Sequence, residues 1–174
     1  MKEDFFGEVP EQVRFGGLDS DEPLSFKVYQ PERLVLGRPM ADQLRVAVCL
    51  WHSFNWAGSD VFGAGTFDRP WLQAVDDPLA AARMKLDAAF EFLHKLGAPF
   101  FCFHDWDVAP EGRTFAESKS NLGQMVDYIG EHMARTGARL LWGTANLFSN
   151  PRYAAGAATN PDPEVFAYAA AQVK

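Results

Sequence analysis

The sequence predicts an α/β fold built on a parallel sheet, and three observations carry that prediction. Three nearly continuous apolar runs have the length of strands, amphipathic stretches of helical period separate them, and a segment punctuated by glycine and proline precedes them all. The leading segment, residues 1–44, has little periodicity and is interrupted by Gly7, Pro10, Gly16, Gly17, Pro23, Pro31, Gly37 and Pro39, so it reads as an irregular N-terminal arm. The first strand is Arg45-Val46-Ala47-Val48-Cys49-Leu50-Trp51, the second Ala98-Pro99-Phe100-Phe101-Cys102-Phe103, and the third Ala138-Arg139-Leu140-Leu141-Trp142. Unbroken apolar sequence of this kind predicts strands buried on both faces.

Helices are predicted between and after these strands. Asp77-Pro78 opens the first, an N-cap followed by proline in the first turn, and Gly97 closes it. Its apolar residues Leu79, Ala82, Leu86, Phe90, Leu93 and Leu96 step by three or four and define one buried face. Thr114-Phe115-Ala116-Glu117 reads as a capping box for the second helix, whose stripe Leu122, Met125, Ile129, Met133 ends at Gly137. Asp162-Pro163-Glu164 starts a third helix that runs through Val165, Phe166 and Ala169 to Lys174 without a closing glycine or proline.

The order β-α-β-α-β-α has two closures, a doubly wound sheet or a barrel. A complete (β/α)₈ barrel takes about 250 residues, so in 174 residues the barrel closure is expected to be incomplete. The uncapped last helix carries the same expectation.

Composition narrows the function. The chain is 48% hydrophobic and 22% charged, as folded soluble domains are. A formal net charge of −7, without clustered lysine and arginine, speaks against a nucleic-acid partner. The N-terminus lacks the apolar core of a signal peptide, and no run reaches the ~18 apolar residues of a membrane helix, so the expected location is the cytoplasm, with no membrane partner. Cys49 and Cys102, each within an apolar run, are expected to be buried free thiols.

In either closure, functional groups gather at the carboxyl ends of the strands. There the sequence offers Trp51-His52-Ser53-Phe54-Asn55-Trp56, His104-Asp105-Trp106-Asp107, and Gly143-Thr144-Ala145-Asn146-Leu147-Phe148. Flat rings with a few polar groups suit a carbohydrate, the rings covering C–H faces and the polar groups reading hydroxyls. Trp51 and Trp142 read equally well as core aromatics. His104, with Asp107 three residues on, fits an imidazole oriented by a carboxylate for acid/base chemistry, or else a structural His–Asp hydrogen bond. His94 and His132 read as partly exposed helix residues, and His52 as a supporting neighbour of the site. No glycine fingerprint for nucleotide phosphates follows a strand.

These strand ends resemble a known family. Phe100-Phe101-Cys102-Phe103-His104-Asp105-Trp106-Asp107-Val108-Ala109-Pro110-Glu111-Gly112 is similar to the F-H-D-x-D-x-x-P-E-G motif of xylose isomerases, and Leu140-Leu141-Trp142-Gly143-Thr144-Ala145-Asn146 to their L-L-W-G-T-A-N. Asn150-Pro151-Arg152-Tyr153, Gly156 through Val165, Trp51-His52-Ser53-Phe54 and Gly58-Ser59-Asp60-Val61-Phe62-Gly63 extend the resemblance from about residue 5 to 174. It implies a TIM barrel of the longer class, of which residues 45–174 form the first three βα units. It also implies an aldose–ketose isomerase that acts on D-xylose, with glucose a further candidate, as a homotetramer. His104 matches the histidine that assists ring opening and Asp107 the aspartate that orients it. Trp51, Trp142, Thr144 and Phe148 match the lining of the sugar pocket, and Phe62 a ring reaching into a neighbouring subunit's site. Two divalent cations (Mg, Mn or Co) belong to the full-length enzyme, held by carboxylates of later strands, so this chain is expected to bind neither fully and to be inactive alone. Two rival readings remain: a non-catalytic sugar-binding or assembly module derived from such an enzyme, and a metal-dependent phosphodiester-cleaving barrel. The acidic charge and the F-H-D-x-D match count against the second.

Overall fold

A computed structural model describes residues 4–9, 11–73 and 76–174. Pro10 of the arm therefore lies outside the described residues, as do residues 1–3. The leading segment contains short paired elements: β1 (Arg14–Phe15) parallel to β2 (Ser25–Phe26), β3 (Leu34–Val35) antiparallel to β4 (Arg38–Pro39), and the single turn α1 (Met40–Gln43). The β3–β4 hairpin has a two-residue loop, Leu36-Gly37, with φ of 50° and 80°. Positive φ at both positions matches the right-handed twist of the strands, at a steric expense for any residue with a Cβ.

The arm is fastened to the body at its start. Glu91 accepts hydrogen bonds from the backbone N–H groups of Phe5 (3.0 Å) and Phe6 (2.9 Å), while the Phe6 ring packs on Phe92 and the Phe5 ring on Trp71. Further along, Val13 N–H donates to the carbonyl of Lys95, and the Lys95 ammonium donates to that of Val9.

The body is a three-stranded parallel sheet, β5 (Ala47–Cys49), β6 (Phe100–His104) and β7 (Arg139–Thr144), in sequential order. The connections carry α2 (Leu50–Asn55), α3 (Pro70–Gln73), α4 (Pro78–Leu96), α5 (Asp105–Val108) and α6 (Phe115–Thr136), and α7 (Pro163–Val173) follows the last strand. The long crossover helices α4 and α6 pack against one another. Asp77 caps α4 by accepting from the N–H groups of Leu79 and Ala80, and Gly97, at φ 63°, ends it. The buried face of α4 holds the expected Ala82, Leu86, Phe90 and Leu93, with Leu79 and Leu96 at its partly buried margin, and meets Phe101, Met125 and Ile129 in one core. No described helix is long and apolar enough to cross a membrane.

Four expectations need correction. The first strand ends at Cys49, and Leu50 and Trp51 already belong to α2. The third strand extends through Gly143 and Thr144, and all six of its residues are exposed, where burial on both faces was expected; in the described chain only β6 pairs with it. His132 is only 2% exposed: it stacks on Phe90, with ring centroids 4.5 Å apart, its Nδ1 lies 2.8 Å from the Arg135 guanidinium and its Nε2 3.0 Å from Asp87 Oδ1, so both ring nitrogens have a polar neighbour within the core. The capping box of α6 is half formed, since Thr114 accepts from Glu117 N–H but the Glu117 carboxylate turns back to Arg113 N–H. The cysteines are free, as expected, with Cys102 buried and Cys49 partly so.

The hairpin loop supplies a stability test. Leu36 is 95% exposed and holds a left-handed conformation that asparagine tolerates better. Leu36→Asn is expected to stabilise the fold by roughly 0.5–1 kcal/mol, measured as an upward shift of the urea midpoint with an unchanged slope.

Candidate functional site

The site begins where β6 stops. His104 is the last residue of β6 and the N-cap of α5, and Asp107 is the third residue of that helical turn. Reversal of the chain brings the Asp107 carboxylate back onto the strand end, where Oδ2 accepts from His104 N–H (2.6 Å) and lies 3.0 Å from His104 Nδ1. One oxygen thus ends the strand, starts the helix and holds the imidazole. With a carboxylate at Nδ1, the favoured neutral tautomer carries its proton there and leaves the Nε2 lone pair for a substrate.

The other oxygen of Asp107 faces Asn55 at the end of α2, whose Nδ2 donates to Asp107 Oδ1 (3.3 Å) and to the carbonyls of Leu50 and Asp107. Asn55 Oδ1 in turn accepts from Lys85 Nζ at 2.6 Å. Lys85 comes from α4 and is buried. Burial pushes its pKa down to about 8, against a smaller upward pull from Asp107.

Rings surround the imidazole. Trp51 lies 5.0 Å from His104 between centroids, Trp142 5.9 Å and Phe148 5.3 Å, and Trp51 and Trp142 are themselves 5.2 Å apart. The position of Trp142 depends on an irregularity in pairing. Phe101 pairs with Leu140 but Cys102 pairs with Trp142, so β7 carries one extra residue, Leu141, and His104 comes opposite Thr144. Side chains alternate along a strand, so if β7 paired regularly through Leu141, Leu141 and Gly143 would stand beside Cys102 and His104 in place of Trp142 and Thr144. Trp142 is 42% exposed and Phe148 65% exposed, leaving aromatic surface open around the histidine.

The loop that carries Phe148 is tied down by the second carboxylate of the motif. Asp105 Oδ1 accepts from Asn146 N–H (2.8 Å) and Trp106 N–H, and Oδ2 accepts from Gln172 of α7 (2.7 Å). The Asn146 side chain then accepts from Phe148 and Ser149 N–H. The two neighbouring aspartates therefore divide the work, Asp107 holding the imidazole and Asp105 the loop beside it.

His104, Asp107, Trp51, Trp142 and Phe148 thus come together, and Thr144 lies in register with His104. Phe62 does not join them. It sits 93% exposed in a turn where Asp60 Oδ1 accepts from Phe62 and Gly63 N–H, and no described ring contact links it to the cluster. His52 is exposed beside Trp51, and His94 is exposed on α4. Sequence reasoning missed Lys85 and Gln172, and it placed Asn55 and Asp105 at strand ends without assigning either a partner. Of the two missed residues Lys85 carried a signal, since it lies between Ala81–Ala82 and Ala88–Ala89 on the apolar face of α4. Among the described residues no group of three or more His, Cys, Asp or Glu side chains is arranged to hold a metal ion.

No protein-family model matches the chain. Among curated proteins it is 57% identical over 174 residues to a xylose isomerase of Rhizobium etli (strain CIAT 652), covering all of this chain and 39% of that protein. It is 58% identical over 170 residues to one of Burkholderia vietnamiensis (98% and 38%), and 57% identical over 163 residues to one of an Enterobacter species (94% and 37%). The chain matches xylose isomerases over its full length. It spans the N-terminal 39% or so of these xylose isomerases.

The buried lysine beneath the site gives a pH-dependent stability. Its pKa in the folded chain, about 8, lies below the 10.5 of the unfolded chain, so between these values the unfolded state binds more protons and stability rises with pH. The climb due to Lys85 is roughly 3 kcal/mol, complete above 10.5 and absent below 8. The free energy of unfolding measured across this window is expected to rise with pH in the native chain, and Lys85→Met is expected to lack that rise.

Proposed function

We propose that this chain is the N-terminal portion of a TIM-barrel aldose–ketose isomerase acting on D-xylose and related aldoses such as glucose, and that it carries the machinery which opens the sugar ring. The observation that supports this most directly is the imidazole held at Nδ1 by Asp107 at 3.0 Å and enclosed by Trp51, Trp142 and Phe148. The rings cover the C–H face of a pyranose, and the Thr144 hydroxyl reads a substrate hydroxyl. His104 Nε2 accepts the proton of the anomeric hydroxyl, the electron pair on that oxygen becomes the carbonyl as the C1–O5 bond breaks, and the proton passes to O5. Asp107 keeps the imidazole in the required tautomer and stabilises the imidazolium that forms transiently.

The two divalent cations implied by the resemblance would polarise the sugar oxygens for the shift between C1 and C2. The resemblance assigns those cations to carboxylates of later strands, and the roles proposed for this chain's own residues are sugar binding and ring opening. The reading includes a cytoplasmic homotetramer in which Phe62 reaches a neighbouring subunit. A second reading, a sugar-binding module without catalysis, draws support from the open aromatic rim, where Phe148 is 65% exposed.

The test is kinetic. In a full-length protein carrying this segment, His104→Asn is expected to lower turnover of cyclic xylose by about 10²–10⁴-fold with metal affinity by calorimetry unchanged. Glyceraldehyde, which cannot close a ring, should suffer much less, and Asp107→Asn should act in the same direction. Residues 1–174 alone should convert no xylose with Mg²⁺, Mn²⁺ or Co²⁺. Turnover of xylose that survives His104→Asn would remove the ring-opening role, and sugar binding without turnover by the full-length protein would favour the module.

The subunit role of Phe62 has its own check. Hydroxyl-radical footprinting should oxidise Phe62 in the 174-residue chain and protect it in the assembled full-length protein. Equal labelling in the two would rule the contact out.

A further inference from the structure

Lys85 is the one buried lysine or arginine among the described residues, and neither sugar contact nor ring opening requires it. Its ammonium meets a neutral amide, Asn55 Oδ1 at 2.6 Å, and not a carboxylate. Burying an ammonium on such a partner is expensive, and a hydrophobic residue of similar volume is often tolerated better. The amide itself has only one workable orientation. An ammonium has donors only and an ionised carboxylate acceptors only, so the Asn55 oxygen must face Lys85 and its NH₂ must face Asp107. Four elements, α4, α2, α5 and the end of β6, therefore contribute to one line of polar contacts, Lys85–Asn55–Asp107–His104, ending on the imidazole.

We propose that Lys85 is a positioning residue for the ring-opening dyad: through Asn55 its ammonium keeps the Asp107 carboxylate aimed at His104 Nδ1, and its deprotonation at alkaline pH relaxes that hold. This rests on the ring-opening reading given above. A charge at one end of a polarised chain strengthens the bonds between, and its loss weakens them together. The transition falls in an accessible range, because burial brings Lys85 down to about 8. The titratable groups facing the line are His104, Asp107 and the Cys102 thiol on β6, with Cys49 beside it on β5. Burial, then Cys49 and Asp107, push Cys102 above its ordinary 9.0, clear of the lysine. Asp105, also on α5, is engaged by Asn146 and Gln172.

The experiment follows the His104 imidazole ¹⁵N resonances of the 174-residue chain from about pH 6 to about pH 10, together with the Lys85 side-chain resonance. In the native chain His104 should show an inflection near 8 that coincides with the Lys85 titration. Lys85→Met should abolish it and hold the resonance at its alkaline position. Lys85→Arg keeps the charge throughout and should abolish it while holding the resonance at its neutral position. A merely structural role would leave the two variants alike. A native signal that passes through this region without inflection, or an inflection that survives Lys85→Met, overturns the proposal. Should Lys85→Arg fail to fold, the methionine variant carries the comparison, and should both fail, co-titration in the native chain decides it. The signal does not depend on sugar turnover, so a failed isomerase assay with the inflection intact removes the functional reading alone.

Discussion

The carboxylate of Asp107 is the point on which the site depends, because a single oxygen accepts from the backbone N–H of His104 and lies 3.0 Å from its ring. A strand that ends without a partner for its last N–H frays, and an imidazole without a fixed neighbour samples several rotamers and both tautomers. Here one acceptor removes both freedoms. It works because α5 begins immediately at the strand end, which returns the third residue of the turn to the first. The short spacing of the motif is therefore a geometric requirement of a strand-to-helix corner.

Around that corner the aromatic groups arrive by different physical routes. Trp51 is delivered by α2, which starts directly after β5, Phe148 by a loop anchored on Asp105, and Trp142 by a strand whose phase is shifted by one residue. The surface they present shares one sheet but no single local rule. It is assembled from three carboxyl ends of a parallel sheet, each with its own local constraint, in keeping with the carboxyl-end location of sites in such folds.

Much of this was legible in the sequence because it rests on local rules. Asp77 and Asp162 cap the helices they were expected to cap, Gly97 and Gly137 close theirs in the left-handed conformation, and the apolar stripe of α4 is buried as its period requires. The dyad was legible because its two members are three residues apart. What escaped depends on contacts distant in sequence. Lys85 and Asn55 are separated by 30 residues and Asp105 and Gln172 by 67, and no local pattern announces such a pair. His132 was misjudged because a histidine on a helix gives no hint that Asp87 waits on another helix. The third strand was misjudged because apolar sequence states what a strand prefers to cover, and β7 has a strand on only one side in the described chain.

The extra residue in β7 makes the chemistry of the rim depend on a count of backbone units. At most positions a change of side chain alters one contact and leaves the others in place. At Leu141 the consequential change is one of pairing, since taking Leu141 into regular register would exchange Trp142 and Thr144 for their neighbours across the whole outward half of the strand, whereas deleting it would leave both opposite Cys102 and His104. Substitutions in this strand can therefore drift without reorganising the rim, whereas a one-residue shift of its pairing would replace that face in a single step.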